Sequence, residues 1–130
     1  MRRIHLDTNY LIEIHVEKSK SRAILKSLLK EKVEFAISAI AWHEFLCGPF
    51  DREQKENILD LVQNRIIPLT SEMAEEASEL FNLIGRKKGM KADCLIAATS
   101  ICENSEFLSW NVDDFKRFKP FGLLLLEYNL

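Results

Sequence analysis

The chain has 130 residues, 47% of them hydrophobic and 29% charged, with a formal net charge of -2. That length fits one domain, taken as residues 1–130, and the apolar content with dispersed charge excludes a disordered chain. The near-neutral balance provides no general attraction for nucleic acid, so a nucleic-acid role needs a local basic patch.

The chain opens MRRIHLDTNYLI, where the apolar run Ile4–Leu6 has strand length and stops at Asp7. Arg22–Lys30 follows with a one-sided stripe of Ala23, Ile24, Leu25, Leu28 and Leu29, a helix pattern. Val33–Ile37 reads as the second strand, and "ISAIAWHEFLCG" continues it into a helix over Ile40–Cys47. Helical spacing puts Glu44 of that helix beside Ile40 and Cys47 rather than on an evidently polar side. Ile58, Leu59, Leu61 and Val62 mark another helix, and Ile66–Leu69 a third strand. Ser71–Lys88 carries Met73, Ala74, Ala77, Leu80, Phe81 and Ile84 at helical intervals, with Ser71 as N-cap and Gly85 or Gly89 as stop. Asp93–Cys102 is nearly apolar throughout, hence a buried helix. Glu106–Trp110 and Leu123–Leu126 complete a set of five strands.

Strands separated by helices imply an α/β fold, a central parallel sheet of about five strands with helices on both faces. Such sheets bind ligands beyond the carboxyl ends of their strands, where connections diverge. Acidic residues just after strands therefore carry more meaning than those on helix faces. Four positions qualify: Asp7 after the first strand, Glu44 in the helix after the second, Asp93 opening the helix of "GMKADCLIAATS", and Asp113 with Asp114 in "FLSWNVDDF". Taken singly, each has a plain alternative. Asp7 and Asp93 suit helix caps, Glu44 suits a solvated helix edge, and an Asp pair suits a turn. Taken together, they share one kind of place in the topology. A cluster of carboxylates near a core repels itself unless a cation neutralises it, and oxygen-only ligands suit Mg²⁺ or Mn²⁺.

Other chemistries fit less well. His43 and Cys47 stand one helical turn apart, but a zinc-binding HExxH pattern needs a second histidine where Cys47 stands. A phosphoryl-transfer aspartate enzyme resembling the haloacid dehalogenases has DxD where this chain has Asp7 and Asn9. Glycines 48, 85, 89 and 122 form neither GxGxxG nor a P-loop. Cys47, Cys94 and Cys102 are an odd set without CxxC, which fits a reducing cytoplasm. The stretch before Asp7 is too short in apolar residues for a signal peptide, and Phe121–Leu126 is too short to span a bilayer. The expectation is a cytoplasmic protein without a membrane segment.

The stretches "IHLDTNYLIEIH", "FAISAIAWHEFLCGP", "IIPLTSEMAEEASELFNLIGRKKG", "MKADCLIAATS" and "FLSWNVDDFKRF" cover nearly the whole chain. In this order they resemble the PIN-domain ribonucleases, and within them the VapC-like toxins of toxin–antitoxin pairs. The resemblance implies a three-layer PIN fold and Mg²⁺- or Mn²⁺-dependent endonucleolytic cleavage of RNA. It matches Asp7, Glu44 and Asp93 to the family's acidic positions, with Asp7 and Asp93 as metal ligands. Thr8, Asn9 and Ser109 match supporting positions. One position departs: many relatives carry a fourth carboxylate where this chain has Asn111, and Asp113 is then the expected substitute, with Asp114 the alternative. The resemblance also implies a small antitoxin partner and a homodimer, for which "WHEFLCGPF" offers apolar surface. A non-catalytic RNA- or protein-binding module is the other reading.

Basic residues sit beside these motifs. Arg86, Lys87, Lys88 and Lys91 directly precede Asp93, while Lys116, Arg117 and Lys119 follow the last motif. Both groups suit phosphate contacts. Trp42 and Trp110 are expected in the core or an interface, with base stacking the lesser alternative.

Overall fold

The computed structural model describes residues 1–128; the last two residues of the expected domain lie outside the described part. Five strands form one sheet: β1 (Arg2–Leu6), β2 (Val33–Ser38), β3 (Ile66–Ile67), β4 (Glu106–Leu108) and β5 (Leu124–Leu126). Their order is β3-β2-β1-β4-β5, and every neighbouring pair is parallel. Seven α-helices connect them: α1 (Thr8–Glu13), α2 (Lys20–Leu29), α3 (Ala39–Cys47), α4 (Arg52–Val62), α5 (Ser71–Leu83), α6 (Lys91–Cys102) and α7 (Val112–Phe115). A 3-10 turn over Lys116–Phe121 leads from α7 to β5.

This is the α/β sheet expected from the alternation of strand-length and helix-length segments. Ile4, His5 and Leu6 are buried in succession on β1, as are Phe35 to Ser38 on β2. Consecutive burial requires cover on both faces, because neighbouring side chains point to opposite sides of a strand. Helices supply it: α2 and α4 pack against β2, α6 lies against β2 and β4, and α5 packs on α6.

The strand order places the functional edge. From β1 the chain moves outward through β2 to β3, then returns to the other side of β1 for β4 and β5. Connections therefore diverge at the carboxyl end of β1, where open α/β sheets leave a crevice. Ile4 sits between Phe35 and Glu106 in the register, and Leu6 lies opposite Leu108. The residues that follow Leu6, Ser38 and Leu108 thus emerge at one edge.

Several boundaries differ from the sequence reading for local reasons. β3 has two residues rather than four, because Pro68 has no N–H to continue a ladder. Thr70, not Ser71, caps α5, its side chain accepting from the Met73 N–H at 3.2 Å. That helix ends at Leu83, short of Lys88. Gly85 at φ 83° and Arg86 at φ 55° turn the backbone into the left-handed region that stops a helix. α4 starts at Arg52, well before its apolar stripe, on a capping box between Asp51 and Gln54. Among the described residues, no helix is long and apolar enough to cross a membrane.

α3 is held at its start by Ser38, whose buried hydroxyl accepts from the Ala41 N–H at 3.0 Å. Ser38→Ala should cost about 1 kcal/mol of stability, as cap removal commonly does, measured as a lower urea midpoint with unchanged slope.

Candidate metal and nuclease site

Asp7 leaves β1 and occupies the N-cap of α1. Its Oδ1 accepts from the Thr8 N–H at 2.8 Å, one residue earlier than the N–H of the second or third helical residue that a cap usually takes. Its Oδ2 accepts from the Ser109 hydroxyl at 2.7 Å. Asp7 therefore both caps the helix and faces β4. The carboxylate has two oxygens and uses one for each task. Only 6% of Asp7 is exposed. Burial pushes its pKa up, Glu44 adds to the rise, and the bonds from Ser109 and Thr8 oppose it.

Ser109 is the hub of this edge. Its hydroxyl donates to Asp7 and accepts from the Asn111 N–H at 2.9 Å and Asn9 Nδ2 at 3.4 Å. Asn9 Oδ1 in turn accepts from the Trp110 N–H at 3.4 Å. A buried hydroxyl with one donor and two acceptor sites is thereby fully used. Thr8 connects a third element, since its Oγ1 donates to Glu44 Oε1 on α3 at 2.8 Å. Glu44 is exposed, on the side of α3 that meets α1.

Asp93 lies in the first turn of α6, where the helix dipole favours an acid. Its pKa is nevertheless pushed up to about 6. Burial contributes most, then the charges of Asp7, Asp114 and Glu44; Arg117 opposes them. Four carboxylates from β1, α3, α6 and α7 thus act on one region.

Asp113 and Asp114 part company here. The Asp113 side chain is 92% exposed and pairs with Lys116 at 3.1 Å. Asp114 accepts from Asn111 Nδ2 at 2.8 Å and pairs with Arg117 at 3.5 Å. It is Asp114 whose charge reaches Asp93. Asn111 is the N-cap of α7, and residues three apart on a helix share a face, which brings Asp114 rather than Asp113 back to it.

The basic residues divide as well. Arg86 donates to Asn82 at 2.7 Å and stands over the Phe81 ring, and Lys91 lies over the same ring. Lys87 and Lys88 are exposed in the loop before α6. Lys116, Arg117 and Lys119 each meet an acid, Asp113, Asp114 and Glu127 respectively. Arg117 is thus a counter-ion of the acidic edge rather than a free phosphate contact.

The oxygen-only donor set fits a hard divalent cation. Among the described residues, no three His, Cys, Asp or Glu side chains group closely enough to hold one ion by themselves. Mg²⁺ does not require that, since it is commonly held by one or two carboxylates with water and substrate phosphate completing the octahedron. Asp7 and Asp93 supply two carboxylates. Each Asp7 oxygen is engaged by one donor, which leaves further lone pairs available.

A parallel five-stranded α/β sheet with carboxylates converging where its connections diverge defines the PIN-like class of fold. The chain belongs to the PIN-domain family, whose profile matches residues 4–119. VapBC2 from Rickettsia felis, solved bound to a DNA fragment from its promoter, superimposes with a TM-score of 0.73. The match covers 98% of this chain and 99% of that one at 26% identity. A toxin–antitoxin complex from Klebsiella pneumoniae has a TM-score of 0.71 at 22% identity, covering 98% and 99% of the two chains. DNA-bound VapBC from Salmonella typhimurium has a TM-score of 0.69 at 18% identity, covering 97% and 98%. No curated protein sequence matches the chain.

Proposed function

We propose that this chain is a Mg²⁺- or Mn²⁺-dependent endoribonuclease and the toxin of a toxin–antitoxin pair. The observation that carries the reading is the buried Asp7 carboxylate beside Asp93, at the edge where the sheet connections diverge. The VapBC and toxin–antitoxin assemblies that share its fold support the toxin role and a small antitoxin partner. A homodimer and a cytoplasmic location belong to the same proposal. In the stretch suggested for dimer contact, Trp42 stacks on Phe45 and Phe45 meets Phe50; Phe45 is buried, whereas Cys47, Pro49 and Phe50 are exposed.

In this reading Asp7 and Asp93 hold the metal. When bound, the ion supplies Lewis-acid stabilisation of charge developing on the scissile phosphate. Thr8 occupies Glu44 Oε1, which orients the carboxylate and leaves Oε2 to take the proton of the attacking water. One P–O bond of the backbone is replaced by a bond to that water oxygen, and the departing oxygen is protonated. Ser109 and Asn9 fix Asp7 and the start of β4, and Asn111 holds Asp114 toward the site. Lys87 and Lys88, exposed in the loop before α6, supply the contacts to the RNA backbone in this reading.

The test is incubation of the purified chain with total RNA in Mg²⁺ or Mn²⁺, with chelator as control and mapping of the cut ends. Binding without any cut, at every metal concentration, overturns the reading. Within it, Asp114→Asn should lower kcat/KM about 10- to 100-fold, as loss of a supporting group near a metal does. Asp113→Asn should change it less than about twofold, because that side chain lies in solvent. The reverse order restores Asp113 as the fourth acid.

A further inference from the structure

Between the ends of β4 and β5 lies a cavity of 190 Å³. Tyr10, Trp110 and Tyr128 bring aromatic rings to it, Val112 and Leu126 add aliphatic wall, and Glu127 supplies a carboxylate. Ser109, which holds Asp7, borders the same cavity. We propose that this cavity binds one unpaired nucleobase of the RNA strand, stacked against Trp110, next to the cleaved bond. The proposal rests on the ribonuclease reading and adds the feature of the substrate that the site selects.

Trp110 is built as a fixed platform. Its ring lies 5.3 Å from the fully buried Tyr10 ring at an interplanar angle of 2°. Its indole N–H donates to Ser21 Oγ on α2, and its backbone N–H donates to Asn9. Two helices, α1 and α2, therefore hold one indole in place, yet 37% of Trp110 is exposed. A large aromatic so fixed and still open to solvent suits stacking, since little freedom is lost when a second ring covers it.

Position identifies the occupant. β4 lies between β1 and β5, and neighbouring strands are about 4.8 Å apart, so the cavity stands roughly 5–10 Å along the edge from Asp7. A phosphate at Asp7 and Asp93 therefore places an adjacent base at the aromatic rings. The cavity accommodates a single ring system and is too small for a folded partner. Glu127 meets Lys119 through Oε1 at 3.8 Å, and its other oxygen can accept hydrogen bonds, which favours a base edge rich in N–H donors, guanine foremost, over uracil.

The test uses the full chain carrying Trp42→Phe, which leaves Trp110 as its only indole, with Asp7→Asn added to prevent cleavage. Short single-stranded RNAs with each base in turn, or an abasic nucleotide, beside the expected cut site are titrated while fluorescence is read. The intact strands should quench Trp110, and the abasic strand should bind about 10- to 100-fold more weakly without quenching. In the cleaving protein, Trp110→Ala should raise KM at least about tenfold and erase the abasic penalty. Trp110→Phe, which keeps a ring and guards against misfolding, should retain most of both, and Glu127→Gln should flatten the preference among bases. Equal binding of abasic and intact strands, or an unchanged base preference in Trp110→Ala, overturns the proposal. Quenching without any cleavage by the parent protein leaves the cavity standing and removes the ribonuclease reading, so the two failures are distinct.

Discussion

Asp7→Asn is expected to lower metal-dependent RNA cleavage at least about 1,000-fold while leaving the protein folded. The loss corresponds to about 4 kcal/mol of transition-state stabilisation, in the range a metal ligand supplies. The fold should survive because two effects oppose each other. The amide cannot satisfy both present partners: Thr8 N–H and the Ser109 hydroxyl both donate to Asp7, and an amide offers one acceptor oxygen. One hydrogen bond is lost, a cost of about 1 kcal/mol. Against that, the substitution removes a charge that burial already disfavours. Thermal melts of wild type and variant without metal should therefore agree within a few degrees. Full cleavage by Asp7→Asn removes the metal assignment; a large drop in melting temperature makes Asp7 structural instead.

The sequence exposed some of this site and concealed the rest, for physical reasons. All five strands were visible as short apolar runs, continuous in β1 and β2 because helices cover both faces there, and Asp7 stood out as a carboxylate ending one of them. Asp93 was visible as an acid opening a nearly apolar helix. The choice between Asp113 and Asp114 was not, because it depends on α7, a four-residue helix with no periodicity to read. Arg117 read as one of several candidate phosphate contacts, and only the fold shows it countering the charge on Asp114 and Asp93. The stack of Tyr10 on Trp110 joins residues a hundred positions apart, which no local pattern encodes. Asp7 was misjudged in a subtler way: cap and ligand were treated as rival roles, when a carboxylate on a helix N-cap can direct its second oxygen elsewhere.

The part of the metal-free protein's stability linked to Asp93 should be lost as pH rises from about 4 to about 7, and Asp93→Asn should remove that part. The Asp93 pKa goes from 3.8 unfolded to about 6 folded, so between those values the folded state holds more of the proton. Stability linked to Asp93 is therefore fully present below pH 3.8 and is lost as pH rises through 6. Two units correspond to at most about 3 kcal/mol, and water reaching a half-buried group reduces that to about 1–2 kcal/mol. His5 acts in the opposite sense. Burial among β-strands pushes its pKa down despite Glu103 at 3.2 Å, so its contribution fades as pH falls below 6.5. The raw pH curve mixes these two with Asp7, whose burial-raised pKa acts in the same sense as that of Asp93, and the difference between wild type and Asp93→Asn isolates Asp93. At pH 7.5 without metal, Asp93→Asn should melt about 5 °C higher than wild type, and at pH 4 the two should coincide. Mn²⁺ should reverse the order at pH 7.5, raising wild type and leaving Asp93→Asn nearly unmoved, while Asp93→Asn loses RNA cleavage. A substitution that stabilises the empty protein and disables the loaded one marks a carboxylate retained for its ligand rather than for the fold. Equal melting temperatures without metal, and equal gains with it, assign Asp93 to the N-terminus of α6 and to nothing further.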